Sequence, residues 1–246
     1  MILDKFKLSY KPYGQNALLL EWPRMINKSV LQDILRFKKL IEAKYPELEL
    51  IPAYNSLCLV AMTAIDFDSL ISELKAIYSE KFAITIPNKK VWYIPVCYDL
   101  SFGIDMEEFS LEKRMSVPHI VDLHTAPVYT VYCIGFLPGF MYLGGLNNAL
   151  IQPRRTEPRL NIPKGSVGIG GEQTGVYPQQ SPGGWNIIGN SPVPLFDPSK
   201  EKPCQISVGD GIKFYPIDKD QHQLLSIQVE AKIFEFKFDQ TDDSST

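Results

Sequence analysis

Apolar positions along the first ninety residues follow two alternating periods. Phe6–Tyr10 and Ala17–Trp22 read as strands, with Pro12 and Gly14 marking the turn between them. Val30, Ile34, Phe37 and Ile41 then recur at helical spacing up to about Lys44, and Ser29 with Gln32 forms a capping box at the start. Leu48–Ile51 and Leu57–Met62 are apolar strand runs around Pro52–Ser56. A second helix opens near Asp66 or Asp68 and carries Leu70, Ile71, Leu74 and Ile77. This order, ββαββα, predicts a small α+β domain over residues 1–89, an antiparallel sheet with helices on one face.

Near residue 90 the pattern changes. Lys89–Tyr98 reads as a strand, and Asp105–Arg114 and Val117–His124 as short helices, the second capped by Ser116 with Pro118 in its first turn. From Val128 to Tyr215 no helical period survives. Short apolar runs broken by Gly and Pro predict a β-barrel or sandwich within a second domain, residues 90–238. Asp218 with Gln221 starts a terminal helix, a strand follows at Lys232–Phe238, and 239–246 form a polar, acidic tail expected to be disordered. No repeat at a fixed period is present.

Composition narrows the classes. A net charge of −3 and a pI near 5.7 argue against a nucleic-acid surface. No run approaches the length of a membrane span, and the opening MILDKFKLSY lacks the basic and apolar regions of a secretory signal. The four cysteines, Cys58, Cys97, Cys133 and Cys204, are widely spaced in apolar surroundings, which predicts free thiols and a cytoplasmic location.

Residues 135–194 hold 12 of the 16 glycines and 8 of the 19 prolines, a density typical of linkers. Yet Phe136, Phe140, Tyr142, Tyr177 and Trp185 are interleaved there, and only six residues are charged. A disordered segment has the opposite composition. The glycines are therefore expected to serve fixed turns and close backbone approaches, and the function is expected to lie here.

Several sharp motifs fail on spacing. Gly168-Ile169-Gly170-Gly171-Glu172-Gln173 lacks the third glycine and the following helix of a dinucleotide loop, and it supplies no Gly-Lys-Ser/Thr for a P-loop. Ser166 lacks the preceding Gly-x of a nucleophile elbow. His119 and His124 stand about 140° apart around a helix, His222 is remote, and no metal site is expected. What remains is Arg154, Arg155, Arg159 and Lys164, held between Pro153, Pro158 and Pro163. Arginine presents a planar fork suited to carboxylate or phosphate, so this cluster is either a solvated basic loop or an anion site. Gln173, Tyr177, Ser181, Gly183, Gly184 and Trp185, with Thr174 and Asn186, add neutral hydrogen bonds and a stacking face. Catalytic candidates are His124, Glu157 and Glu172, the two glutamates being the only carboxylates between Asp122 and Asp197.

The run Gly135-Phe136-Leu137-Pro138-Gly139-Phe140 with Tyr142-Leu143-Gly144-Gly145-Leu146 resembles the opening of the allophanate hydrolase subunit 1 family. The resemblance continues through Pro153-Arg154-Arg155, Pro158-Arg159, Gly165-Ser166-Val167, Gln173-Thr174-Gly175, Tyr177-Pro178 and Ser181-Pro182-Gly183-Gly184-Trp185, and spans roughly residues 8–217. That family includes kinase A inhibitor proteins, the B subunit of bacterial 5-oxoprolinase and half of the carboxyltransferase domain of urea carboxylase. The resemblance implies an α+β N-terminal domain followed by a mainly-β, cyclophilin-like barrel. It further implies a heteromeric complex with a homologous, carboxyltransferase-type C subunit and a third subunit, in which ATP drives the opening of 5-oxoproline to glutamate. Its alternatives are inhibition of a sensor histidine kinase by direct binding, and half of a biotin-dependent urea or amide carboxyltransferase. Asn190, Asn161, Lys164 and Gln15-Asn16 depart from the family pattern; Asn190 replaces a common Arg or Lys and puts an anion contact there in doubt.

Overall fold

The computed structural model describes residues 6–79 and 89–241. The chain divides into two compact units, 1–87 and 88–246.

In the first unit the elements are β1 (Ser9–Tyr13), β2 (Ala17–Glu21), α1 (Lys28–Lys44), β3 (Glu49–Ala53), β4 (Ser56–Val60) and α2 (Phe67–Ser79). The four strands form one antiparallel sheet in the order β1-β2-β4-β3. Alternation places Leu18 and Leu20 of β2 opposite Leu59 and Leu57 of β4, all four inaccessible to solvent. They pack with Ile34, Phe37 and Ile41 of α1 and Leu74 and Tyr78 of α2. Strand β1 starts three residues later than the pattern suggested, because its pairing runs from Tyr13↔Ala17 outward. Pro12 is tolerated inside it because β1 is an edge. Helix α1 begins two residues earlier than the capping box at Ser29 implied: Asn27 is the N-cap and accepts the amide of Val30 at 2.8 Å.

Among the described residues of this unit one carboxylate is buried. Asp33 accepts Trp22 Nε1 at 2.7 Å and the Tyr78 hydroxyl at 2.5 Å, and pairs with Arg36 at 3.0 Å. It ties the end of β2 to both helices. We expect Asp33→Ala to cost about 3 kcal/mol, since it strands two buried donors and a guanidinium. Urea unfolding of the full chain checks this, and a cost near zero would deny Asp33 the role.

The second unit comprises β5 (Lys89–Cys97), α3 (Met106–Lys113), α4 (Val117–Thr125), β6 (Tyr129–Ile134), β7 (Met141–Gly144), β8 (Arg159–Ile162), β9 (Ser166–Gly170), β10 (Gln173–Val176), β11 (Ser181–Gly183), β12 (Asn186–Asn190), β13 (Gly211–Ile217), α5 (Lys219–Glu230) and β14 (Lys237–Thr241). Seven strands run β12-β9-β10-β7-β6-β13-β5, and the pairing of Asn190 with Cys97 joins β12 back to β5. The result is a closed, mainly-β barrel of the cyclophilin-like kind. Closure occupies the β5 edge at Cys97, while the edge left at residues 89–93 is taken by β14. Its interior is filled by Ile94, Val96, Tyr129, Val131, Leu143, Val167, Ile169 and Phe214, joined by Met106 and Phe109 of α3 and Ile120 of α4. Between β6 and β13 the only helical turn among the described residues is the 3₁₀ segment Asn148–Leu150, in line with the missing helical period. Asp218 and Gln221 do form the reciprocal capping box of α5. The final strand lies later than Lys232–Phe238: residues 237–241 pair with 93–89 of β5, so Asp239, Gln240 and Thr241 belong to a strand and not to a disordered tail. The rest of the expected tail, 242–246, lies outside the described residues.

Candidate functional site

The Gly/Pro-rich stretch forms the barrel wall from β7 to β12, and its glycines answer to rings. Trp185 lies against bare backbone: a Cβ on Gly170 would stand 2.5 Å from the indole Nε1, and one on Gly175 would stand 3.1 Å from the far side of the ring. A Cβ on Gly183 would meet the Tyr177 hydroxyl at 2.3 Å. No side chain fits at Gly170 or Gly183 unless a ring leaves, and at Gly175 the Met141 carbonyl, 2.7 Å from a Cβ, excludes one as well. Phe140 is the hub, with edge-on contacts to Phe136, Tyr142, Tyr177 and Trp185 at 5.6, 4.9, 5.2 and 5.4 Å between centroids. Each such pair adds roughly 0.5–1.5 kcal/mol beyond its buried area.

Phe140, Tyr177 and Trp185 are buried, so the last two are core residues as much as a stacking face. The outer layer is different. Phe136 sits in the left-handed region at φ 71 and is 62% exposed, a strained backbone holding an apolar ring in water. Tyr142 is half-buried, and exposed Arg154 places its guanidinium 5.8 Å from the Trp185 ring centroid. Both phenols feel this charge. Burial pushes the Tyr177 hydroxyl up to about 12, with the backbone at Trp185 and then Arg154 pulling against it. Burial also raises Tyr142, reinforced by Cys133 and opposed by Arg154.

The arginine cluster does not act as one group. Asp105, only 2% exposed, accepts Arg155 Nη1 at 3.1 Å, Arg159 Nη1 at 2.8 Å and Nη2, and the amide of Ile187 at 2.7 Å. Arg155 also reaches Glu108 at 2.9 Å. Two of the three guanidiniums are thus neutralised from within, and only Arg154 has no carboxylate partner among the described residues. Sequence spacing missed Asp105, which it used only as a helix start, and it left Phe136 and Tyr142 out of the site. The signal available for Asp105 was the need of closely spaced arginines for a counter-charge.

Lys164 is exposed, and its carbonyl accepts Asn190 Nδ2 at 2.9 Å. The Asn190 Oδ1 in turn accepts His222 Nε2 of α5 at 2.9 Å. The departure at Asn190 therefore serves to fasten β12 to α5. The Ser181 hydroxyl donates to the adjacent Pro182 carbonyl, at 3.2 Å, while its backbone pairs with Ile162. Gln173 is half-buried in β10, opposite Gly170. Gly171 and Glu172 form the two-residue β9–β10 turn, so the glycine-rich run lies in a hairpin and opens no helix. Gly184 bonds Arg155 through its carbonyl, 2.7 Å from the Arg155 amide. Glu157 and Glu172 are exposed, and no hydrogen bond or ion pair among the described residues joins either to Arg154 or His124.

His124 lies inside the barrel and is inaccessible to solvent. Its ring stacks on Phe214 at 4.9 Å. Thr174 Oγ1 donates to the Gly168 carbonyl, so at 2.9 Å from Nε2 it must accept, which places the proton on Nε2. Nδ1 then accepts from the Tyr98 hydroxyl at 2.7 Å. Both nitrogens are occupied, and burial pulls the group down to about 3. The candidate base is geometrically a neutral core residue. Among the described residues no cluster of His, Cys, Asp and Glu suits a metal, and no helix is long and apolar enough to cross a membrane. All four cysteines are free thiols.

The geometry defines a closed, mainly-β barrel domain with an aromatic face over which the exposed Arg154 guanidinium stands. Comparison places it: the model of the carboxyltransferase domain, subdomain C and D, matches residues 8–206, and the chain belongs to that family. It is 37% identical to the 5-oxoprolinase B subunit of Bacillus subtilis (strain 168) over 226 residues, 85% of this chain and 93% of the relative. It is 36% identical to the 5-oxoprolinase B subunit of Escherichia coli O157:H7 over 205 residues, 82% of this chain and 93% of the relative. The crystal structure of TTHA0988 superposes with a TM-score of 0.70 at 33% identity over 82% of this chain; the chain spans 40% of that protein.

Two outcomes test this geometry. Asp105→Ala leaves two guanidiniums and a buried amide without a partner and is expected to cost about 3–5 kcal/mol; Arg154→Ala is expected to cost under about 1 kcal/mol. Equal losses in urea unfolding would contradict the division of the cluster. For His124, the folded group is depressed below the usual value near 6.5, so the unfolded chain binds the proton first. Stability is complete above about pH 6.5 and falls toward pH 3. At pH 5 the parent should have lost about 2 kcal/mol more than His124→Gln, each measured against its own value at pH 7. Parallel pH profiles for the two proteins would refute the neutral assignment.

Proposed function

We propose that this chain is the B-type subunit of a 5-oxoprolinase, and that its aromatic face completes a binding site when a neighbouring subunit lies over it. The observation that carries this reading is the 36–37% identity to proteins named as the B subunit of 5-oxoprolinase, over most of both chains. The face supports it physically. Arg154 is an unpaired, exposed guanidinium beside a rigid ring, suited to a small carboxylate, yet nothing beside it excludes water or moves a proton.

The reaction explains why such a face needs company. A lactam carbonyl is a poor electrophile because of amide resonance. Transfer of the terminal phosphoryl group of ATP to the lactam oxygen turns that oxygen into a leaving group. Water then adds at the ring carbon, and the ring C–N bond breaks as the nitrogen takes a proton to leave an acyl phosphate. A second water hydrolyses that acyl phosphate to glutamate and inorganic phosphate. Arg154 and the Trp185 edge orient the substrate carboxylate or the phosphorylated intermediate. ATP, the reacting water and the base belong to the assembled complex, whose other members are a homologous barrel protein of the C type and a third subunit. His124, bonded at both nitrogens, is not that base.

Co-expression with these two partners, followed by ATP-dependent glutamate release from 5-oxoproline, is the direct test. The full complex is expected to turn over, and omission of this chain to abolish turnover. Arg154→Ala should lower kcat/KM by about 10- to 100-fold, the effect of removing one charged contact, with assembly intact on gel filtration. Undiminished turnover without this chain would sink the proposal, and undiminished turnover with Arg154→Ala would remove the face from it.

A further inference from the structure

A cavity of about 430 Å³ lies on the barrel unit between the Pro194–Gln205 segment and the chain that follows α5. Its size falls in the range of small-molecule sites. Phe234, Phe236 and Phe238 line it, and they are not loose. Trp92 of β5 backs Phe236 at 5.8 Å and Phe238 at 4.9 Å, and Phe234 meets Phe236 edge-on at 5.1 Å. The aromatic wall is thus fixed by a buried ring of the barrel before any ligand arrives.

Lys200 and Lys232 stand on the lining. Neither side chain makes a hydrogen bond or ion pair among the described residues. Both act on Asp197, whose carboxyl is held below its usual range first by the hydroxyl and amide of Ser199 and then by these two lysines. The lysines therefore converge on one region, while Asp197 already has its bonds. Glu235 also lines the cavity and limits the excess positive charge there.

Lys232 carries a second signal. The amide of Lys232 bonds the Val229 carbonyl at 3.1 Å and that of Ile233 bonds the Gln228 carbonyl at 3.0 Å, the Schellman pattern that ends a helix. Lys232 occupies its left-handed position at φ 59, where glycine is the unstrained residue. A lysine at that place costs stability and gains nothing within the helix. That lysine, however, lines the cavity.

We propose that this cavity binds a small apolar monocarboxylate, its ring or branched chain against Phe234, Phe236 and Phe238 and its carboxylate between Lys200 and Lys232. The cavity shares no lining residue with the aromatic face, and the proposal does not depend on the 5-oxoprolinase reading.

Amide NMR titration of the full chain tests it, with phenylacetate as probe. Saturable shifts are expected at residues 232–238 and at the Trp92 indole N–H, and phenylacetamide, which lacks the charge, should bind about tenfold or more weakly. Lys200→Ala should weaken phenylacetate to a similar degree. Lys232→Gly is the decisive variant: relief of the left-handed strain should raise Tm by about 2–4 °C while phenylacetate binding falls about tenfold or more. A lysine with a purely structural role would not couple greater stability to lost binding. The proposal is overturned if phenylacetamide binds as well as phenylacetate, if Lys232→Gly binds like the parent, or if phenylacetate, 3-phenylpropionate and 4-methylpentanoate all give no saturable shift at millimolar concentration.

Discussion

The barrel's outer architecture depends on one buried carboxylate. Asp105 stands at the start of α3, takes two guanidiniums from the Arg155–Arg159 loop and bonds the amide of Ile187 in β12. Three separate pieces of chain thus share one charge. Such a hub is not a source of large net stability, because the desolvation of the ions offsets most of their attraction. What it fixes is arrangement. With Arg155 and Arg159 drawn inward, the intervening loop has one course, and Arg154, one residue earlier, is left outside over Trp185.

That constraint reverses the simplest view of the arginine cluster. Three arginines between prolines suggest a concentrated positive surface, and a count of charges along the chain can say no more. The partner acid lies about fifty positions upstream, reached only when the sheet closes. A cluster that looks like an anion site is therefore one exposed cation and an internal ion pair. The single cation fits a small carboxylate better than a polyanion, which would need several unpaired donors.

How far the fold could be read from the residues follows the same divide between local and distant causes. The hydrophobic periods located the helices and most strands to within a few residues, because amphipathic burial is a local signal. The capping box at Asp218 and Gln221 was legible for the same reason. Strand β14 was not, since residues 237–241 pair only because β5 offers an edge, and the acidic composition of 239–246 pointed the other way. In the candidate site, the glycines were correctly read as close approaches, while the identity of each approaching ring needed the register of β9, β10 and β12. His124 shows the limit most clearly. A histidine before a glycine-rich segment suggests catalysis, yet the pairing of β9 with β10 brings Thr174 and the Gly168 carbonyl to its far side and closes its chemistry.

Two kinds of polar group stand out in this unit. His124, with Tyr98 and Thr174 inside the barrel, is bonded at both ring nitrogens, as a low-dielectric interior favours. The side chains of Arg154, Lys200 and Lys232 on its surface have no hydrogen-bond or ion-pair partner among the described residues, and their surroundings are aromatic and prefixed instead of loosely solvated. An unpaired cation in water needs no explanation. An unpaired cation beside a ring that leaves no room for a side chain at Gly170, or on a left-handed residue that would be more stable as glycine, does need one. In both places the chain accepts a local cost to hold a charge against an apolar wall, and a ligand that unites a carboxylate with apolar surface is the chemistry that uses both features at once.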